Sequence, residues 1–303
     1  MSQIAQVILE TLQNNGICTK VLNKTALSGG CLNDAFKLST DTGNVFVKTN
    51  SGSNSRLMFE GESESLNAIH EAVPGFAPKP LCFGTLPNEG AFIVTTYIRL
   101  STSHSASIQI LFARKLAEMH SSQSPNGKFG FPVMTMCGIT EQDNTWEVDW
   151  PTFYKERRLR PILDKCLQNN PGDSELRRLG EIVIDKVVDH IMKDIEIKPV
   201  LIHGDLWSGN WGVNLDANEP VVYDPSSCYG HNEYELGILT MFGSPGSEFF
   251  REYHRYHPRQ EPYFEQRQEL YQLYHYLNHY YLFGGGYQRS AISIMRRLCD
   301  LVY

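Results

Sequence analysis

In the stretch VLIHGDLWSGNWGVN, residues 200–214, Asp205 and Asn210 stand with four residues between them. Asp224 follows at the end of VVYD, fourteen residues beyond Asn210. A carboxylate followed at this spacing by a side-chain amide suits a loop in which the Asp takes a hydroxyl proton and the Asn holds a metal ion. An Asp at a strand end facing that loop completes an oxygen-donor set for Mg2+, which binds few carboxylates beside water and phosphate oxygens. The competing explanation is a tight turn in a buried hairpin, with Asp224 a turn former before Pro225. That explanation accounts for Gly204 and Gly209. It leaves the spacing of Asp205, Asn210 and Asp224 unexplained.

Two further features belong to the same chemistry. Gly29 and Gly30 lie in SGGCLN, between two strand-like runs, where backbone N–H groups can approach phosphates without a Cβ in the way. A plain hairpin turn has the same look, and the pattern is not that of a Walker-type phosphate loop. Lys48 lies late in a third run, NVFVKTN, at the place where a kinase lysine holds nucleotide phosphates. A buried ammonium needs a carboxylate, and the next segment offers Glu60, Glu62 and Glu64. A strand-edge lysine is the simpler alternative for Lys48 taken alone.

The elements that must position these groups follow from periodicity. MSQIAQVILETLQNNG places Ile4, Val7, Ile8 and Leu12 at helical spacing. VLNKTAL, DAFKLST and NVFVKTN read as strands, the last with Val45 and Val47 on one face and Phe46 and Lys48 on the other. RLMFEGESESLNAIHEA reads as a helix stopped by VPGFAPKP. AFIVTTYI is another strand, so residues 1–97 are expected to form a small sheet with one helix, in the order β-β-β-α-β. IQILFARKLAEMHSS and SELRRLGEIVIDKVVDHIM read as amphipathic helices, PVVYD as a short strand, and the tyrosine-rich region after Gln260 as helical. The expected class is therefore α+β, with a nucleotide-binding sheet lobe over 1–97 and a helical lobe over 98–303.

Composition bounds the partners. The 303 residues carry 27 Lys and Arg against 34 Asp and Glu, a formal charge of −7, which argues against a nucleic-acid surface. Seven scattered cysteines with no CxxC pair fit a reducing compartment rather than a disulfide framework or zinc ribbon. The N-terminal segment is acidic and amphipathic, unlike a signal peptide, and no apolar run reaches membrane-spanning length. A cytoplasmic protein that binds neither nucleic acid nor membrane is expected.

Other polar clusters are less specific. His275 and His279 share a helix face in YHYLNHYYLFGGG. Zinc there lacks a third ligand in the sequence. With Asn278 they are expected instead to line a sugar-sized cleft, unless they are merely half-exposed helix residues. Glu235, in GHNEYELG, either orients the 203–210 loop or leads into a helix.

The segments GGCLNDAF, VFVKTN, MFEGESESL, HGDLWSGNWG, YDPSSCYGHNEYELG, MFG and LYQLYHYLNHYYLFGGGY together resemble the fructosamine and ketosamine kinases, relatives of aminoglycoside and choline kinases within the protein-kinase-like fold. The likeness spans nearly the whole chain. It implies a bilobal fold and ATP-dependent phosphorylation of the 3-hydroxyl of ketosamines such as fructosamine and ribulosamine, on free amines or on lysines of glycated proteins. The 3-phosphate is labile, so a deglycation or protein-repair role follows. The resemblance implies that Gly29 and Gly30 shape the phosphate loop, and that Lys48 contacts phosphates and pairs with Glu62. The backbone of Thr95, Thr96 and Tyr97 would meet adenine. Asp205 would orient or deprotonate the hydroxyl, and Asn210 and Asp224 would hold Mg2+. Trp207 is expected to form a cleft wall or to fix its loop. Gly204 stands where protein kinases carry an arginine, so no activation-loop phosphosite is expected, and Thr96 stands where relatives often have an acidic residue. Cys31, among the amides of the Gly-rich loop, is a candidate redox switch, giving a monomer or a redox-dependent dimer. The rivals are another small-molecule kinase and a non-catalytic nucleotide-binding module.

Overall fold

The computed structural model describes residues 3–27 and 33–303. Gly29, Gly30 and Cys31 lie outside the described residues. Five strands, β1 (Val21–Leu27), β2 (Asp34–Thr40), β3 (Asn44–Asn50), β4 (Pro80–Thr85) and β5 (Ala91–Thr96), form one antiparallel sheet in the order β1-β2-β3-β5-β4. Helix α1 (Gln3–Asn14) covers one face, where Ile8 and Leu12 meet Val45, Val47, Phe92 and Val94. Helix α2 (Ser55–Ala72) covers the other, where Phe59, Leu66 and Ile69 join Ala91 and Ile93. Strand β5 is thus apolar on both faces, as a doubly covered strand must be.

The register places Lys48 opposite Ile93, and alternation turns it towards α2. Strand β4 is not expected from the sequence. It carries Pro80 and Gly84, residues that mark edge strands, and has a bulge between Pro80 and Cys82.

The remaining chain is mainly helical. Strand β6 (Leu100–Ser101) precedes α3 (Ala106–Met119), whose cap Ser105 accepts from the Ile108 N–H. A hairpin, β7 (Thr135–Cys137) and β8 (Thr140–Gln142), leads to α4 (Trp150–Tyr154) and α5 (Arg160–Asn169), joined by a π turn at 155–159. This helical segment is also not expected from the sequence. The expected long helix at 174–192 is present as α6 (Ser174–Ile182) and α7 (Val188–Met192) with a π turn between them. Strands β9 (Val200–Ile202), β10 (Trp211–Asn214), β11 (Glu219–Val222) and β12 (Cys228–Gly230) follow, then helices α8 (Asn232–Leu239), α9 (Ser247–Tyr253), α10 (Phe264–Phe283) and α11 (Tyr287–Cys299).

The 200–214 stretch is not a buried hairpin, which sets aside the competing explanation for its glycines. Strand β9 pairs with β12, whereas β10 pairs with β11 and β6. The loop between β9 and β10 therefore crosses from one small sheet to another. Helix α10 runs through the middle of the helical region and buries ten of its twenty residues, among them Tyr271, Tyr274, His275 and Asn278. Trp150, Tyr154, Tyr234 and Tyr271 form an edge-packed aromatic centre, with Trp150 Nε1 donating to the Tyr271 hydroxyl at 3.0 Å.

Helix α2 ties the sheet to the helical region. A Cβ on Gly61 would meet the Met134 carbonyl at 2.5 Å, so only glycine allows this approach. The Ser227 N–H donates to Ser65 Oγ at 3.1 Å. The element carrying Glu62 is thereby fixed against the segment that carries Asp224.

Candidate active site

Lys48 Nζ lies 2.7 Å from Glu62 Oε1 and 2.6 Å from Asp224 Oδ1. The Lys48 and Glu62 side chains are 8% and 11% exposed, while Asp224 is 49% exposed. Burial alone would lower the ammonium. Asp224 and Glu62 outweigh it and hold Lys48 above its ordinary value, so it stays charged. Of the three candidate glutamates in α2, Glu62 makes this contact.

Asp224 adopts a left-handed backbone, φ 58°, although it precedes Pro225. Residues before proline normally take an extended conformation, so the surroundings must impose this one. The Tyr223 N–H donates to the Asn210 carbonyl at 3.0 Å, and His203 Nε2 lies 3.0 Å from the Tyr223 carbonyl. These two bonds lock the turn holding Asp224 to the loop holding Asp205.

The 203–210 loop is held from below. Glu235, fully buried at the start of α8, accepts from the backbone N–H groups of His203 and of Gly204, the latter at 3.1 Å. Glu235 thus has the orienting role rather than only a place in a helix entry. Gly204 has φ 86°, and a Cβ there would meet the Ser226 carbonyl at 2.1 Å, so no larger residue fits. The buried His203 ring receives the Asp205 N–H at Nδ1, 3.3 Å away, which leaves Nε2–H to donate to Tyr223. Burial lowers its pKa and keeps it neutral.

Asp205 stands at the mouth of this loop, partly open to solvent. Asn210 Nδ2 donates to the Asp205 carbonyl at 2.8 Å and to its Oδ2 at 3.3 Å. Burial, and next the negative charge of Asp224, push Asp205 up to about 8, against hydrogen bonds from Cys137 and Asn210 that lower it. A carboxyl group poised near neutrality is suited to proton transfer. The Asn210 amide oxygen makes no hydrogen bond among the described residues. With the exposed Asp224 carboxylate it offers hard oxygen donors of the kind Mg2+ takes.

Other expected residues are distributed as follows. Thr95 is buried and donates from Oγ1 to the Thr96 carbonyl at 3.3 Å. The Thr96 N–H is already used by the Lys79 carbonyl at 2.9 Å, so it cannot also bind a nucleobase. Tyr97 is half-buried, with Lys37 Nζ 5.4 Å from its ring. Trp207 is 39% exposed and its ring lies over Gly209, where a Cβ would meet it at 2.3 Å. The Trp207 ring packs edge-on to Phe242, and Phe242 lies 5.0 Å from His279, forming one aromatic row.

Two expectations on α10 are overturned. His275 is fully buried, with neither ring nitrogen hydrogen-bonded among the described residues, and burial lowers it to about 3. Asn278 is also buried. It accepts from Thr140 Oγ1 at 2.5 Å and donates to the carbonyl and sulfur of Cys137, both at 3.4 Å. Neither can line an open cleft, because α10 is covered on these faces by the β7–β8 hairpin and its neighbours. His279 remains half-buried, with Nδ1 2.7 Å from the His275 carbonyl. Cys137, 68 positions before Asp205, touches the site without any local signal in the sequence.

The fructosamine kinase family model matches residues 1–300. The mouse ketosamine-3-kinase is 37% identical over 96% of this chain and 99% of its own length. The chloroplastic protein-ribulosamine 3-kinase of Arabidopsis thaliana is 41% identical over 95% of this chain and 86% of its own. A crystal structure from Haemophilus somnus, designated a candidate fructosamine-3-kinase, superposes with a TM-score of 0.84 at 23% identity, covering 98% of both chains. A protein-kinase-like fold, with the Lys48, Asp205 and Asp224 constellation at its centre, and a family match along almost all of the sequence lead to one assignment: the chain belongs to the fructosamine kinase family.

Proposed function

We propose that this site transfers the γ-phosphoryl group of ATP to the 3-hydroxyl of ketosamines, with 1–97 as the nucleotide lobe and 98–303 as the acceptor lobe. The enzyme is a ketosamine kinase. The observation that carries the residue roles is the Lys48 ammonium held between Glu62 and Asp224, on a turn hydrogen-bonded to the Asp205 loop.

Glu62 aims Lys48 at nucleotide phosphates, and the buried ammonium neutralises charge that spreads over the phosphate oxygens during transfer. Asn210 and Asp224 would hold Mg2+, which when bound supplies further neutralisation of the phosphates. Asp205 orients the 3-hydroxyl and takes its proton as the hydroxyl oxygen bonds to the γ-phosphorus and the bond to the β-phosphate bridge oxygen breaks, releasing ADP. Loop rigidity supplies the in-line geometry. Adenine would use the Thr96 carbonyl and the backbone beyond it, since the Thr96 N–H is taken. Trp207, Phe242 and His279 form the wall for the sugar, an aromatic surface better suited to a ketosamine than to a polycationic antibiotic. Loss of the labile 3-phosphate regenerates the amine, so the biological role is deglycation, in the cytoplasm and under reducing conditions.

The test offers Mg·ATP with a fructosamine, a ribulosamine, choline and an aminoglycoside in parallel and locates phosphate on the product. Phosphate on the ketosamine 3-oxygen is expected. Transfer to choline or the aminoglycoside in preference rejects the substrate assignment.

A further inference from the structure

Behind Asp205 lies a second set of ligand atoms. Cys137 at the end of β7, Asp205 in the β9–β10 loop and His275 in the middle of α10 each bring one donor atom within 4.8 Å of the other two. Three separate elements, more than 60 residues apart in sequence, converge there. Cys137 and His275 are buried, and Asp205 is the one member open to solvent. His275 is the least expected of them. A fully buried imidazole with both nitrogens unpartnered among the described residues is a cost that a fold normally avoids.

We propose that Cys137, Asp205 and His275 form an inhibitory site for Zn2+, distinct from the oxygen-donor site for Mg2+ at Asn210 and Asp224. Sulfur, imidazole nitrogen and one carboxylate oxygen are a zinc donor set and an unsuitable one for Mg2+. Three protein ligands leave the fourth tetrahedral position for water on the open Asp205 side. Zinc donors at ~2.0–2.3 Å lie roughly 3.3–3.8 Å apart, so donors spread over as much as 4.8 Å would contract by up to about an ångström. Asn278 Nδ2, 3.4 Å from Cys137 Sγ, supplies the N–H···S contact that supports a thiolate ligand. The Cys137 thiol and, where protonated, the Asp205 carboxyl release their protons to solvent as the ion binds. The dication with one thiolate, one carboxylate and a neutral imidazole then carries no net charge, which suits its burial beside Arg158.

The ion would take the Asp205 carboxylate away from the sugar hydroxyl. Inhibition therefore rests on the proposed role of Asp205, whereas metal binding does not. The measurement uses the whole chain, reduced with a phosphine, titrated with Co2+ as a spectroscopic probe and with Zn2+ in competition. One equivalent with a thiolate-to-cobalt charge-transfer band is expected. The band should vanish in Cys137→Ser, and affinity should fall at least ~10-fold in His275→Leu. An anomalous difference map of zinc-soaked wild-type crystals should place the ion between the three side chains, independently of how either variant folds. No band in the wild type, a band surviving Cys137→Ser, or zinc found elsewhere overturns the site. Zinc bound at the trio with full turnover keeps the site but rejects the inhibitory effect and Asp205 as the proton acceptor.

Discussion

The loop at 203–210 and the middle of α10 are both rich in polar and aromatic residues, and the fold treats them in opposite ways. In the loop the buried groups are partnered: Glu235 under His203 and Gly204, His203 between Asp205 and Tyr223, the Asn210 N–H group against Asp205. In α10, Asn278 is fully engaged while the ring of His275, three residues away, has no hydrogen bond among the described residues. The reactive pair of the loop is recognisable because Asp205 and Asn210 stand close in sequence and bond each other. A group on a helix is decided by whatever elements cover that helix.

The largest effect separating the two regions is chemical. Asp205→Asn should lower turnover by roughly 10²–10⁴-fold while Mg·ATP still raises the melting temperature. Normal turnover by that variant would move the base elsewhere. The same substitution has an opposite effect on stability. Asp205 sits at about 8 in the fold, above its ordinary value, so the folded state retains a proton that the unfolded chain loses first. Below the ordinary carboxylate range this adds nothing unfavourable, and the favourable linkage is lost as pH rises towards 8. Without nucleotide, Asp205→Asn should therefore gain stability over wild type from pH 4 to pH 8. A constant difference across that range would contradict the assigned shift. With Mg·ATP, kcat/KM should rise with pH as the Asp205 carboxyl, held above its ordinary value, gives up its proton, and a flat profile from about pH 5 to pH 9 would reject the deprotonated carboxylate as the active form.

Gly204→Ala comes next. A Cβ 2.1 Å from the Ser226 carbonyl, on a backbone at φ 86°, must displace either the loop or the Ser226 segment. A loss of about 2–4 kcal/mol in urea unfolding is expected. Because the loop carries Asp205, turnover should fall with it. A fully stable Gly204→Ala would mean that the two segments separate easily.

On α10 the contrast is between neighbours. Asn278→Leu strands the Thr140 hydroxyl and the Cys137 carbonyl, and should cost about 1–3 kcal/mol. His275→Leu strands nothing and removes two orphaned nitrogens, so the zinc-free protein should lose no stability and should gain up to about 1–2 kcal/mol. Equal costs for the two substitutions would show that packing, not hydrogen bonding, dominates this stretch.

The same rule explains which parts of the fold were legible. Strands β1, β2 and β3 follow their alternation and the DTGN turn, and have the boundaries read from sequence. Strand β4 was obscured by Pro80 and Gly84. The helical segment at 150–169 was obscured by Pro151 and Pro161, which read as breaks. Pro151 stands in a first helical turn, where its missing N–H costs nothing, and Pro161 directly follows a π turn that resets the hydrogen bonding. Lys48, Glu62 and Asp224 were legible as types in an order, but the choice of Glu62 became geometric only through the Gly61 approach to Met134. Cys137 and Thr140 were not legible, because only the packing of a short hairpin on α10 brings them to the site.

Trp207 carries the smallest expected effect, and it divides the two possible roles of a loop aromatic. Its ring shields Gly209 and yet remains 39% exposed beside Phe242, so it both braces the loop and faces the cleft. Trp207→Leu keeps apolar cover on Gly209 but loses the flat ring. If the ring is a wall for the sugar, KM for the ketosamine should rise about three- to tenfold, as the ~0.5–1.5 kcal/mol of an aromatic contact implies, with kcat little changed. If the ring only braces the loop, kcat falls with Asp205 misplaced and KM holds. The backbone bond from the Asn210 N–H to the Trp207 carbonyl survives either way, which favours the first outcome: the loop keeps its turn without the indole.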